Sequence, residues 1–167
     1  MQQTQYRERV PMPGWVVPLM GAFGGIWIGR RVRGLGGRGS APRKLFSLLN
    51  GVTTVAALIG TIRRFGYVAI EVQPDDIRLG YGPFERRIRA TSVRDVRVAP
   101  YNPLPFLGWG YRTGSAGRRA FSQVGVPSGV EITAQEGDRQ LRYFVSSNEP
   151  EALASAIATV AGVSAAV

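Results

Sequence analysis

Residues 66–89 read GYVAIEVQPDDIRLGYGPFERRIR. Apolar and polar side chains alternate here, and Val68, Ile70 and Val72 share one face of a first predicted strand. Pro74 begins a turn because proline fixes φ, and the aspartates that follow it can cap their own backbone. Gly82 and Pro83 mark a second turn. Three short strands joined by tight turns predict an antiparallel meander.

The same alternation continues toward the C-terminus. Further strands are predicted near residues 93–98, 119–124, 129–133 and 140–145, which makes about seven in all. Leu153, Ile157 and Val160 then recur at helical spacing after a polar segment that contains Pro150. We therefore expect a mainly-β domain over residues 65–167, closed by an amphipathic helix at about 149–161.

Two stretches without charge, residues 10–29 and 45–62, lie N-terminal to this domain and flank an arginine-rich segment. A helix needs about 20 apolar residues to cross a bilayer, and both stretches approach that length. We interpret residues 1–64 as a tail and a two-helix transmembrane hairpin. The alternative is that both stretches are buried or interfacial helices, because prolines and glycines in the first would weaken a water-exposed helix.

Small residues favour packing of the two predicted spans against each other. Gly21, Gly25 and Gly29 recur every four residues in the first span. Gly51 lies in the second span, where small residues also occur four positions apart. On a helix this spacing forms a flat stripe where another backbone can approach closely.

Composition restricts the possible chemistry. The chain has 21 basic and 11 acidic residues, a net charge of +10, and neither cysteine nor histidine. Thiolate metal sites, thiol nucleophiles and the commonest general base are therefore excluded. Asp75 and Asp76 are predicted turn formers, and Asp95 lies among arginines. We expect no enzyme activity, no metal and no cofactor.

The positive charge favours an anionic partner, and seven residues of the β domain are candidates for a membrane-facing or partner-facing surface. Six are arginines, and the seventh is a tryptophan between two glycines that either packs across the end of a barrel or anchors a partner. The seven are Arg86, Arg87, Arg89, Trp109, Arg112, Arg118 and Arg119.

Several segments resemble bacterial pleckstrin-homology-like membrane proteins. They are Gly82–Ile88, Asn102-Pro103, Gly108–Arg112 and Ser146–Ala154. The resemblance implies a two-helix hairpin before a pleckstrin-homology-like barrel with a C-terminal helix, and it implies no activity.

The functional hypothesis is a membrane-anchored, non-enzymatic module that binds or scaffolds partners at the bacterial inner-membrane surface. The bilayer would be its integral partner, with anionic headgroups, another membrane protein or a second copy as further candidates. The resemblance places the β domain in the cytoplasm, whereas the basic loop between the spans favours the opposite orientation. The alternative is a soluble or peripheral basic protein that binds nucleic acid or anionic lipid through its arginines, although the loop's position between two spans argues against nucleic acid.

Overall fold

A computed structural model of the protein describes residues 5–16, 18, 22 and 41–166. They belong to two compact units, which are considered separately. The β unit contains the chain up to Met12 and from Tyr67 onward, and the helical unit is Pro13–Gly66. The observed boundary lies two residues from the predicted one, but the N-terminal strand belongs to the β unit.

The β unit contains ten strands and one α-helix among its described residues. They are β1 (Tyr6–Pro11), β2 (Tyr67–Val72), β3 (Asp76–Tyr81), β4 (Phe84–Arg89), β5 (Val93–Pro100), β6 (Gly110–Thr113), β7 (Arg118–Ser122), β8 (Ser128–Glu136), β9 (Arg139–Ser146), β10 (Ala165–Ala166) and the helix Pro150–Ala161.

The strands form two sheets. The first has the order β1-β2-β3-β4 and is antiparallel throughout. The second has the order β10-β5-β8-β9-β7-β6 and contains two parallel pairs, β7 with β9 and β10 with β5. The core lies between apolar faces of these strands and of the helix, because alternate residues point to opposite faces of a strand. Its largest fully buried side chains include Tyr143, Phe121, Ile70, Ile77, Leu79, Ile132, Leu153 and Ile157.

The C-terminal helix lies where the sequence predicted one. It begins at Pro150, whose missing N–H costs nothing in the first turn, and ends before Gly162, which has a φ of 66°. The segment before it is held by Glu8 of β1, whose carboxylate accepts hydrogen bonds from the Ser147 hydroxyl at 2.6 Å and the Asn148 backbone N–H at 2.8 Å. Strand β1 therefore ties the N-terminal end of the unit to the start of its helix.

The predicted barrel of about seven antiparallel strands is wrong. The described strands form two separate sheets, and two of their pairings are parallel. The prediction also missed β1, β6 and β10. Alternation along one strand identifies its buried face but does not identify its neighbour in the sheet.

The helical unit contains α1 (Ala41–Phe65) among its described residues, and the C-terminal helix of the β unit is named α2. The first predicted span, residues 10–29, begins inside β1, where Val10 is fully buried and opposite Val68 of β2. The second, residues 45–62, lies in α1, which has Asn50 and Thr54 near its middle. The Thr54 hydroxyl donates to the Asn50 carbonyl oxygen at 2.7 Å.

No helix in the described part of the chain is both long enough and apolar enough to cross a membrane. This finding overturns the predicted transmembrane hairpin, and with it the predicted multi-pass position in the bacterial inner membrane and the cytoplasmic placement of the β domain. The predicted glycine stripe at Gly21, Gly25 and Gly29 lies outside the described residues. Gly51 lies in α1, and no described atom of another segment comes within 4 Å of where its Cβ would stand.

Candidate binding surface

Two of the predicted surface arginines are engaged in ion pairs within the fold. Arg86 and Arg87 are neighbours on β4. Arg86 pairs with Glu136 at the end of β8, and its Nε donates to the Tyr143 hydroxyl at 3.2 Å. Arg87 Nε donates to Asp76 Oδ2 at 2.7 Å, and Arg78 Nε donates to Asp76 Oδ1 at 3.1 Å. These arginines hold structural carboxylates in place.

The Arg86 cluster also perturbs a buried tyrosine. The Tyr143 hydroxyl donates to Glu136 Oε1 at 2.5 Å. Burial raises the pKa of Tyr143, and the hydrogen bond to Glu136 raises it further, while Arg86 works in the opposite direction. Burial lowers the pKa of Arg86, but its contacts with Tyr143 and Glu136 outweigh burial and raise it overall. Tyr143 is therefore held as a neutral donor and Arg86 as a cation.

Arg89 lies at the end of β4, beside a cleft of about 460 Å³. Arg94, Thr91 and Ser92 line the same cleft, and the Ser92 hydroxyl donates to the Arg89 carbonyl oxygen at 2.7 Å. Arg89 and Arg94 are both exposed, so water can solvate their charges without a protein partner.

Arg112 and Arg119 each make a local contact within the fold. Arg112 Nε donates to the Trp109 carbonyl oxygen at 3.1 Å. The Arg119 guanidinium carbon lies 6.0 Å from the centre of the Tyr143 ring, at the limit of a cation–π contact. The predicted surface residues described so far thus take part in several different contacts, and their role as a membrane-facing or partner-facing surface stays a prediction.

Arg118 belongs to a different arrangement, a pocket of about 200 Å³ on the outer face of the second sheet. We call it the arginine–aromatic pocket. Its walls are three arginines, one glutamate, three aromatic rings and nearby loop residues. The charged and aromatic members are Arg97, Arg118, Arg142, Glu131, Tyr101, Phe106 and Phe144.

The aromatic side of this pocket is preorganised by ring stacking. The Tyr101 ring lies 4.8 Å from Phe144 and 5.9 Å from Phe106, centre to centre. The Tyr101 hydroxyl donates to the Gly108 carbonyl oxygen at 2.6 Å, which fixes the loop that carries Phe106. Burial raises the pKa of Tyr101, so this hydroxyl stays protonated at neutral pH.

The charged side of the pocket carries more positive than negative charge. Arg97 Nη2 donates to Glu131 Oε1 at 2.9 Å, so one cation is neutralised. Arg118 and Arg142 are directly opposite each other in the parallel pairing of β7 with β9. Within the described residues, neither has an ion-pair partner. Two guanidinium groups therefore face one cavity without a compensating carboxylate.

A second feature lies next to the pocket, in the loop of residues 104–109, which we call the apolar loop. Leu104 is 80% exposed and Leu107 is 89% exposed. Trp109 is 45% exposed and lines a shallow depression with Pro103, Val126 and others. Large apolar side chains at this exposure form an exposed apolar patch on the surface.

The sequence prediction missed Arg142 and the three pocket aromatics. A signal for two of them existed, because Leu141, Tyr143 and Val145 alternate along the strand predicted at 140–145, which places Arg142 and Phe144 together on its other face. The pairing of Arg142 with Arg118 had no such signal, because it depends on the parallel contact between β7 and β9.

In the described part of the chain, no cluster of three acidic side chains could hold a metal ion. No protein-family model, curated protein or solved structure matches this chain.

Proposed function

We propose that the β unit is a non-enzymatic protein-binding module that takes an acidic side chain of a partner protein into the arginine–aromatic pocket. The observation that carries the proposal is the directly opposed pair Arg118 and Arg142, which has no carboxylate partner among the described residues. Like charges directly opposite each other destabilise a sheet, and an oxyanion placed between them would remove that cost.

The chemistry of the pocket suits a carboxylate or phosphorylated side chain. Guanidinium groups are planar and can donate two parallel hydrogen bonds to such a group. The rings of Tyr101 and Phe144 offer apolar surface to the carbon stem of the same side chain. Glu131 pairs with Arg97, and the positive charge of Arg97 offsets the repulsion between Glu131 and an incoming anion.

The size of the pocket favours a single side chain over a free cofactor. Sites for small molecules usually enclose roughly 300–1,000 Å³. This pocket measures about 200 Å³, enough for the end of one side chain. The partner is therefore expected to be a protein segment, with its remaining contacts outside the pocket.

Peptide binding by the full chain tests the proposal. We expect a fluorescein-labelled glutamate-rich peptide to bind, and its glutamine counterpart to bind much more weakly, as measured by fluorescence anisotropy. Arg142→Gln should weaken binding of the acidic peptide by about tenfold, because it removes a charge-assisted hydrogen bond. Arg139→Gln is the matched control, since Arg139 is an exposed arginine on the same strand but not in the pocket.

Equal losses in both variants would show that binding follows net charge alone and would contradict the proposal. Tighter binding of a single-stranded oligonucleotide, with the same dependence on Arg142, would favour the nucleic-acid alternative. The resemblance to bacterial pleckstrin-homology-like proteins stays a prediction.

A further inference from the structure

The apolar loop presents two leucines to solvent from a fixed backbone. The Leu107 N–H donates to the Leu104 carbonyl oxygen at 3.3 Å, and the Gly108 N–H donates to the Pro103 carbonyl oxygen at 3.2 Å. The Leu104 N–H donates to Asn102 Oδ1 at 3.0 Å, which closes the turn from its N-terminal side.

Leu107 adopts a backbone conformation that leucine rarely takes. Its φ is 57°, in the left-handed region that glycine occupies without strain. The side chain gains no burial in return, since it is 89% exposed. A strained backbone at an exposed apolar residue indicates that the residue serves contact with another molecule and not the stability of the fold.

A cation lies directly beside this apolar tip. Arg112 Nη2 lies 3.8 Å from the position that a Cβ at Gly108 would occupy, between Leu107 and Trp109 in the chain. Arg112 Nε is also held by the Trp109 carbonyl oxygen. Two exposed leucines, a partly exposed tryptophan and a neighbouring arginine are the types of side chain that suit the acyl chains, the interface and the charged headgroups of an anionic lipid surface.

We infer that the apolar loop docks on an anionic lipid surface, with Leu104 and Leu107 entering the acyl boundary and Arg112 contacting headgroup phosphate. The chain's net charge of +10 complements such a surface. A lipid surface is favoured as the occupant because Leu104 and Leu107 are 80% and 89% exposed beside a cation, so a deformable apolar medium with anionic headgroups can cover both leucines and pair with Arg112. The docking is peripheral, involves no segment that crosses the bilayer, and uses residues other than the charged members of the arginine–aromatic pocket.

The test is vesicle co-sedimentation of the full chain. The vesicles are phosphatidylcholine alone, or phosphatidylcholine with about one third phosphatidylglycerol. We expect binding to the anionic vesicles, and about tenfold weaker binding after Leu104→Ser with Leu107→Ser, because apolar burial is lost. Leu45→Ser with Leu49→Ser is the matched control, since both are exposed leucines of α1; it should leave binding unchanged.

A second variant guards against loss of folding. Leu107→Gly removes the apolar side chain while relieving the positive φ, so it should keep the fold and still weaken vesicle binding. In a Trp15→Phe, Trp27→Phe background, Trp109 is the sole remaining tryptophan of the three. Its emission should shift to the blue with anionic vesicles only.

Three results would overturn the inference. They are binding that is equal on both kinds of vesicle, Trp109 emission that does not shift, and loss of binding in the α1 control but not in the loop variants. Arg142→Gln should leave Trp109 emission on anionic vesicles unchanged, so failure of pocket binding and failure of lipid docking can be told apart.

Discussion

Arginines on the two sheets of the β unit are used in opposite ways. On β4 of the first sheet, Arg86 and Arg87 each pair with a carboxylate of the same chain. On the second sheet, Arg118 and Arg142 face each other without a carboxylate partner among the described residues. The first pair of arginines forms ion pairs within the fold. The second pair has positive charge that a ligand could neutralise.

This difference cannot be seen from residue type, because all four residues are arginines. It depends on what lies opposite each one in the folded sheet. Asp76 comes next to β4 because β3 and β4 form a hairpin, in which Asp76 is opposite Arg89. The parallel contact between β7 and β9 brings one arginine opposite another. Strand pairing, rather than arginine content, therefore decides which of these arginines lie beside a carboxylate.

The largest expected effect is on stability and concerns the first-sheet arginines that pair with carboxylates. Asp76 is 1% exposed and holds both Arg78 and Arg87. Asp76→Asn replaces an acceptor oxygen with an N–H donor that faces guanidinium groups, so we expect the free energy of unfolding to fall by about 2–3 kcal/mol. Urea denaturation of the full chain measures it.

Asp138→Asn is the control for Asp76→Asn, because Asp138 is exposed in the turn between β8 and β9. It should change stability by less than about 0.5 kcal/mol. If Asp76→Asn were no more destabilising than this control, the first-sheet arginines would not be structural and the comparison would fail. Binding of the acidic peptide should be the same in both variants.

Tyr143→Phe tests the second structural cluster and should have a smaller effect. The change removes the hydrogen bonds that the hydroxyl makes with Glu136 and Arg86, and we expect a loss of about 1–2 kcal/mol. The control is Tyr111→Phe, whose hydroxyl makes no hydrogen bond to any described residue and whose ring stacks 4.8 Å from Phe84. Equal destabilisation by the two changes would show that the cluster contributes nothing specific.

The pH dependence of stability gives Tyr143→Phe a second readout. Burial raises the pKa of Tyr143 above its unfolded value of about 10. Above that pH the unfolded chain releases a proton that the folded chain retains, so stability is complete below about pH 10 and falls as pH rises toward the folded pKa. Burial also raises the pKa of Tyr6, Tyr81 and Tyr101, so wild type should lose stability in the same range. Tyr143→Phe should lose less stability than wild type between about pH 9 and pH 11. An identical loss of stability would contradict the raised pKa assigned to Tyr143.

Local sequence pattern predicted the strands near β2, β3, β8 and β9 because alternation reflects which face of a strand is buried. It failed where the outcome depended on a distant partner. Val10 was assigned to a membrane span because apolar residues follow it, but it is buried because β2 lies beside β1. The ion pair of Arg86 could not be predicted for the same reason, since Glu136 lies 50 residues beyond Arg86 and nothing in either segment marks the pair.

The smallest expected effect is on stability and concerns Arg118 and Arg142, the opposed arginines of the proposed binding pocket. Arg142→Gln removes one of two opposed cations, so we expect it to stabilise the folded chain by about 0.2–1 kcal/mol while weakening the acidic peptide. The gain should shrink at high salt, because exposed charges are screened over about 10 Å at 0.1 M salt and over shorter distances above it. Arg139→Gln should not stabilise the chain, since Arg139 is opposite the carboxylate Glu136 in the sheet, and it should leave peptide binding unchanged, since Arg139 lies outside the pocket. If Arg142 serves a partner, its variant should become more stable while it binds the peptide more weakly. If Arg142→Gln instead loses stability, Arg142 is a structural arginine like those of β4.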